Sequence, residues 1–280
     1  MQKYKYILGF FFYVPMLTLC RLKYVLIAIF LMALVFYVCT LRSGPEWLND
    51  VSLNVGTEVF GILFTVWLID EVIRRKDQTE RERIVKVAFA QLRIALEQHI
   101  NTLLCMYKAS ISHAPQINPQ TLDDLFGPDY CVQLAFLDLS KSAPLVSVNQ
   151  LQWFDYLYME MENFKATLIR TLEKYAVFLE PNTVELLEEV LASSFIGFLM
   201  TSISIPEFDQ KRGFKRQYNL LSSQGMPELI QQHTDLIKRL TQEANRHFPN
   251  DKQVGNIKDS WRNDIAPTFG SARLNPASET

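Results

Sequence analysis

Four cysteines in 280 residues, none of them in C-x-x-C spacing, offer neither a disulfide framework nor a thiolate zinc site. Cys20 and Cys39 fall in apolar runs while Cys105 and Cys131 stand alone, which fits a reducing cytosol for the bulk of the chain. An excess of charge of either sign is also missing. The formal net charge of −2 argues against a globally basic nucleic-acid binder. His99, His113, His233 and His247 lack the spacing of metal ligands. The sequence contains no G-x-G-x-x-G, no G-x-x-x-x-G-K-[ST] and no G-x-S-x-G, so phosphate cradles and nucleophile elbows are not expected. Glu160 and Glu162 in MEMEN are two positions apart and cannot face each other on a helix. These absences predict a protein that is not an enzyme and that uses no cofactor and no metal.

What the sequence does have is a concentration of apolar residues before position 70. Residues 24–41, YVLIAIFLMALVFYVCTL, are eighteen without a charge; as a helix they span roughly 27 Å, enough to cross a bilayer. The earlier run ILGFFFYVPMLTLC, residues 7–20, is short and contains Pro15. Residues 1–23 are therefore expected to form an interfacial or re-entrant segment, with an extra span or a removed signal as the alternatives. Leu19 before Cys20 and the basic residues Arg21 and Lys23 argue against cleavage. The segment SLNVGTEVFGILFTVWLIDEVIRRK, residues 52–76, holds the second expected span. Lys3, Lys5, Arg21 and Lys23 precede the first span and Arg74, Arg75, Lys76, Arg81, Arg83 and Lys86 follow the second. Since basic residues collect on the cytoplasmic side, both termini are expected in the cytoplasm, joined by a short outer loop RSGPEWLND.

The second span raises a physical problem, because it carries Asn54 and Glu58. A charged side chain at the centre of a bilayer costs about 2.5–3.5 kcal/mol on insertion scales, so such residues face protein or water. At about 100° per residue, Asn54, Glu58, Gly61 and Thr65 fall within about 60° of arc, while Phe60, Leu63, Val66 and Trp67 point elsewhere. Small and hydrogen-bonding residues on one face are what membrane helices use to approach each other, so this stripe is a packing face or a pore lining. It is the expected membrane-active or oligomerisation face, the alternative being that Glu58, near the outer end of the helix, simply snorkels towards the interface. Gly56 and Gly61 are five apart and do not form G-x-x-x-G.

Beyond the membrane the expectation is all-α. No Gly or Pro occurs between Gly61 and Pro115, and apolar residues recur at three- and four-residue steps from Val72 to Leu104, which predicts an amphipathic helix continuing the second span. Helical patterns return at 149–179, 184–202 and 227–246, giving a cytoplasmic helical domain over 71–247. The apolar segment SSFIGFLMTSISI, residues 193–205, is too short for a span and reads as a buried bundle helix. Residues 248–280 are poor in apolar side chains and are expected to be a disordered tail. Between the last helices lies a loop, residues 205–225, with one basic and aromatic run. Lys211, Arg212, Lys215 and Arg216, interleaved with Phe214 and Tyr218, are candidates for contact with nucleic acid or a protein partner, or are simply solvated.

Two amino-terminal spans, the pattern N-x-x-x-E-x-x-G-x-x-x-T-x-x-x-I-D-E followed by Arg74 and Arg75, and a helical domain without catalytic residues resemble the two-transmembrane effector proteins of bacterial retron anti-phage systems. The resemblance covers residues 24–83 best and is architectural beyond them. It implies a protein of the bacterial inner membrane, held silent by a reverse transcriptase with its RNA-linked single-stranded DNA. Phage interference would release it to damage the membrane and kill or arrest the cell. It further implies that Asn54, Glu58, Gly61 and Thr65 form the membrane-active face of a homo-oligomer in the lipid bilayer. The competing expectation is a membrane-anchored helical scaffold or sensor that leaves the membrane intact.

Overall fold

With neither glycine nor proline between positions 62 and 114, nothing in the backbone chemistry stops a helix there. In the computed structural model one helix, α1, runs over Glu46–Ser110, 65 residues. The structure describes residues 27, 28, 30–32, 34, 35, 38, 46–116, 118–143, 151–249, 252–257, 261 and 266–274. The expected interfacial segment 1–23 and much of the expected first span lie outside these; the described residues between 27 and 38 are helical. The second half of the expected outer loop is not loop, since α1 begins directly after Pro45. Proline suits the edge of a helix but not its interior.

The chain divides into two compact units, Met1–Glu80 and Arg81–Thr280. In the first, large apolar side chains stand open: Leu31, Met32, Val35, Phe60, Ile62, Phe64, Trp67 and Ile69 are all about half or more exposed. Among the described residues no single helix is long and apolar enough to cross a membrane. The helices Pro181–Ser202 and Ile205–Arg212, bent by 47°, pass that test of length and composition only together.

The second unit is helical, with two isolated bridges, Leu137 to Arg273 and Ser142 to Gln152, and no strand among the described residues. Its helices are the later part of α1, then α2 (Leu122–Leu125), α3 (Pro128–Leu134), α4 (Trp153–Tyr175), α5 (Pro181–Leu191), α6 (Ser194–Ser202), α7 (Ile205–Arg212) and α8 (Met226–Asn245). Proline at the first turn starts α3, α5, α7 and α8, and Thr121 with Asp124 closes a capping box on α2. The core follows helical periods. Leu157, Met161, Phe164 and Leu168 of α4 are buried, as are Ile230, Ile237, Leu240 and Ala244 of α8, and both α4 and α8 pack against α5 and α6. Residues 193–205 are a bundle segment as expected, with Phe195, Ile196 and Leu199 fully buried.

Two expectations about this unit are corrected. The loop 205–225 is helical in its first part, because Pro206 opens α7 and Gly213 closes it with φ 70°. The N–H of Phe214 donates to the carbonyl of Asp209 at 2.9 Å, a Schellman cap that Gly213 permits at no steric cost. The tail is packed rather than disordered over its described residues, with Val254, Ile257, Trp261 and Ala272 buried. The reason lies at the end of α1, which has no capping glycine and leaves its last carbonyls in need of donors. Gly270 N–H donates to Lys108 O at 3.0 Å, Ala272 N–H to Ala109 O at 3.1 Å, and the Arg273 guanidinium to Ser110 O. Gly270 has φ 69°, and a Cβ there would lie 3.0 Å from Ile111 O, so this close crossing requires glycine. Arg273 also lies over the Phe136 ring at 4.2 Å.

Candidate functional site

Around α1 the first unit has two distinct faces. Gly56, Val59, Leu63, Val66 and Asp70 are half-covered and recur at steps of three and four residues. Beside them the ring of Phe60 lies 6.0 Å from that of Phe30. Asn54, Glu58, Gly61 and Thr65 are all exposed, and helical geometry places their stripe roughly 150° from the centre of the covered face. The structure thus places the four expected residues on one exposed stripe of α1, away from its half-covered face among the described residues.

The chemistry of the stripe divides in two. Thr65 Oγ1 donates to Gly61 O at 2.8 Å, so that hydroxyl is satisfied within the helix. Thr57, one position from Glu58, likewise donates to Leu53 O and Asn54 O at 3.0 and 2.9 Å. The Asn54 amide and the Glu58 carboxylate have no hydrogen-bond partner among the described residues. At Gly61 an added Cβ would meet nothing within 4 Å, so the unit's own packing does not ask for glycine. A small residue on such a face is one that lets membrane helices approach closely. Flanking it, Phe60, Phe64 and Trp67 form an exposed aromatic ladder with centroids 6.5 and 6.0 Å apart. Exposed apolar surface on this scale marks contact with a membrane or another protein. Beyond it, Arg75 and Arg74 bond the Glu71 carboxylate at 2.7 and 2.8 Å and hold its pKa below the usual carboxylate range.

No protein-family model, curated protein or solved structure matches this chain.

The basic and aromatic run is only partly free. Arg216 reaches the almost fully buried Asp209 with two bonds of 2.6 Å, and Lys211 pairs with Glu207 at 2.6 Å. Tyr218 is half-buried, its ring edge-on to Phe154 at 5.3 Å. These three side chains serve the fold or a neighbour on their own helix. Arg212, Phe214 and Lys215 stay exposed.

A feature that sequence reasoning missed is the meeting of two scattered histidines. His99 of α1 and His233 of α8 bring their Nε2 atoms to 2.8 Å, and His233 Nδ1 lies 2.9 Å from Ser193 Oγ at the start of α6. His99 stacks on Phe164 of α4 at 4.0 Å. One short polar chain thereby ties three helices, and the stacked ring adds α4 as a fourth. The helical period hinted at it, since both histidines occupy core-facing positions, but their separation of 134 residues hid the pairing. Ser–His–His has the connectivity of a nucleophile relay. Burial, however, pushes His233 down to about 3 and, with the neighbouring imidazole, His99 well below the usual histidine range. Such a pair resists taking a proton, which makes it a poor general base and a good structural tie. Among the described residues no group of three His, Cys, Asp or Glu side chains is placed to hold a metal.

The histidine tie sets the acid response. Unfolding frees both imidazoles to protonate near pH 6.5, whereas the folded chain keeps them neutral. Stability is therefore fully present above about pH 6.5 and falls on acidification, by up to about 1.4 kcal/mol per pH unit for each histidine, the His233 contribution continuing to fall until its folded pKa of about 3 is passed. Urea unfolding monitored by tryptophan fluorescence between pH 7.5 and 5 will show this slope. A His99→Phe/His233→Leu pair that still folds will show a shallower one.

Proposed function

We propose that this chain is a membrane effector of the bacterial inner membrane, whose helix α1 self-associates through Asn54, Glu58, Gly61 and Thr65 and permeabilises the bilayer. The observation that carries this is the position of the stripe: two polar side chains without a partner among the described residues and a glycine with open space share the face turned away from the covered one. A helix carrying Asn54 and Glu58 is a poor solitary span. It becomes tolerable when copies face each other around polar contacts or water. The spans cross with both termini in the cytoplasm, on the basic residues that flank them. The resemblance to retron effectors supplies the biological setting. There a reverse transcriptase with its RNA-linked single-stranded DNA restrains the effector, and phage infection releases it to kill or arrest the cell.

A second reading, a tethered scaffold or sensor, is favoured by one observation: residues 81–280 form a compact unit with a core of their own. Replacing residues 1–69 with an unrelated two-span anchor separates the two. On the effector reading, cells expressing the chimaera keep their membrane potential and lose protection against phage. Retained protection would favour the tether.

A further inference from the structure

We infer that the tip formed by the end of α7 and its cap, built from Phe208, Arg212, Phe214 and Lys215, docks on an anionic lipid surface, an inference that rests on the membrane reading above. The Schellman cap at Gly213 folds Phe214 back onto Phe208, ring centroids 6.2 Å apart. Such a hydrophobic contact commonly accompanies this cap, yet here Phe208 is 51% and Phe214 57% exposed. The only other exposed phenylalanine described in this unit, Phe136, lies under Arg273. Charge around the tip is one-sided. Asp209 and Glu207 are consumed by Arg216 and Lys211, leaving Arg212 and Lys215 as two positive charges without a carboxylate partner among the described residues.

Two exposed rings flanked by uncompensated cations are the composition of an interfacial anchor, with rings entering the headgroup boundary and cations attracting anionic lipid. Single-stranded nucleic acid fits less well. The rings are tilted by 38° and form no parallel platform, and Arg212 already covers one side of Phe208 at 5.6 Å.

The test is hydrogen exchange on the full chain in nanodiscs of phosphatidylcholine alone or mixed with phosphatidylglycerol. Amides of residues 207–218 are expected to exchange more slowly in the anionic discs, and the difference should vanish in F208S/F214S. Each of Arg212→Gln and Lys215→Gln should reduce the protection about fivefold, the factor for one basic residue at an anionic surface. Both rings are exposed, so the double variant keeps its fold, checked by unchanged exchange in α4 and α8. Equal exchange in the two kinds of disc, or protection that survives in the double variant, would overturn the inference. Protection that appears only on adding a single-stranded oligonucleotide would also overturn it and assign the tip to nucleic acid. The same data separate the two levels of the argument: slow exchange of residues 59–69 in both discs upholds the membrane reading whatever the tip does, and a chain that stays out of discs contradicts both.

Discussion

Glu58→Leu and Gly61→Leu are expected to insert and accumulate like the parent chain and to have lost all depolarising activity. The two substitutions push stability and activity in opposite directions, which makes the expectation specific. Removing a carboxylate from a spanning segment relieves an insertion cost of about 2.5–3.5 kcal/mol at the bilayer centre, and less near the interface, so Glu58→Leu favours the inserted state. At Gly61 the space around a Cβ is open, so Leu fits the single chain without displacing anything. Between copies the same side chain holds the backbones apart and removes the close approach that small residues give membrane helices. A loss of activity with normal membrane content, measured on membrane fractions of the same cells, therefore isolates the association step. Substituting Leu63, on the half-covered face, acts through the unit's own packing instead and lowers membrane content.

Ending the chain at residue 250 is expected to leave the second unit unfolded. The removed segment buries Val254, Ile257, Trp261 and Ala272 and supplies donors to the last carbonyls of α1. Three large apolar side chains alone contribute about 6 kcal/mol at 1.5–3 kcal/mol each, and each buried carbonyl left without a donor costs about 1–3 kcal/mol more. The sum is comparable to the whole stability of a typical domain, about 5–15 kcal/mol. Limited proteolysis of the detergent-solubilised chains will read this as a protected fragment in the parent and none in the truncated form.

How much of this was legible in the sequence depended on the range of the interaction. The all-helical class, the long α1, the buried character of residues 193–205 and the stripe of Asn54, Glu58, Gly61 and Thr65 all follow from periodicity within one segment, which a single sequence carries. That the stripe lies away from the covered face did not follow, because it depends on which side of α1 the helical residues near Phe30 cover. Composition misled at the tail. Residues 248–280 are poor in apolar side chains, but a few well-spaced ones suffice when the end of another helix offers unpaired carbonyls. The basic run misled in a similar way: Lys211 and Arg216 look free in the sequence and are spoken for by Glu207 and a buried Asp209. The pairing of His99 with His233 has no local signal at all, since it is made by the packing of α1 against α8.

The central claim is that the polar stripe of α1 is the membrane-active face, and membrane potential tests it most directly. Bacteria induced to express the chain alone, or its Glu58→Leu variant, are followed with a voltage-sensitive dye at matched membrane content. The account predicts depolarisation by the parent and an intact potential with the variant. An intact potential with the parent, or equal depolarisation by both, would contradict it.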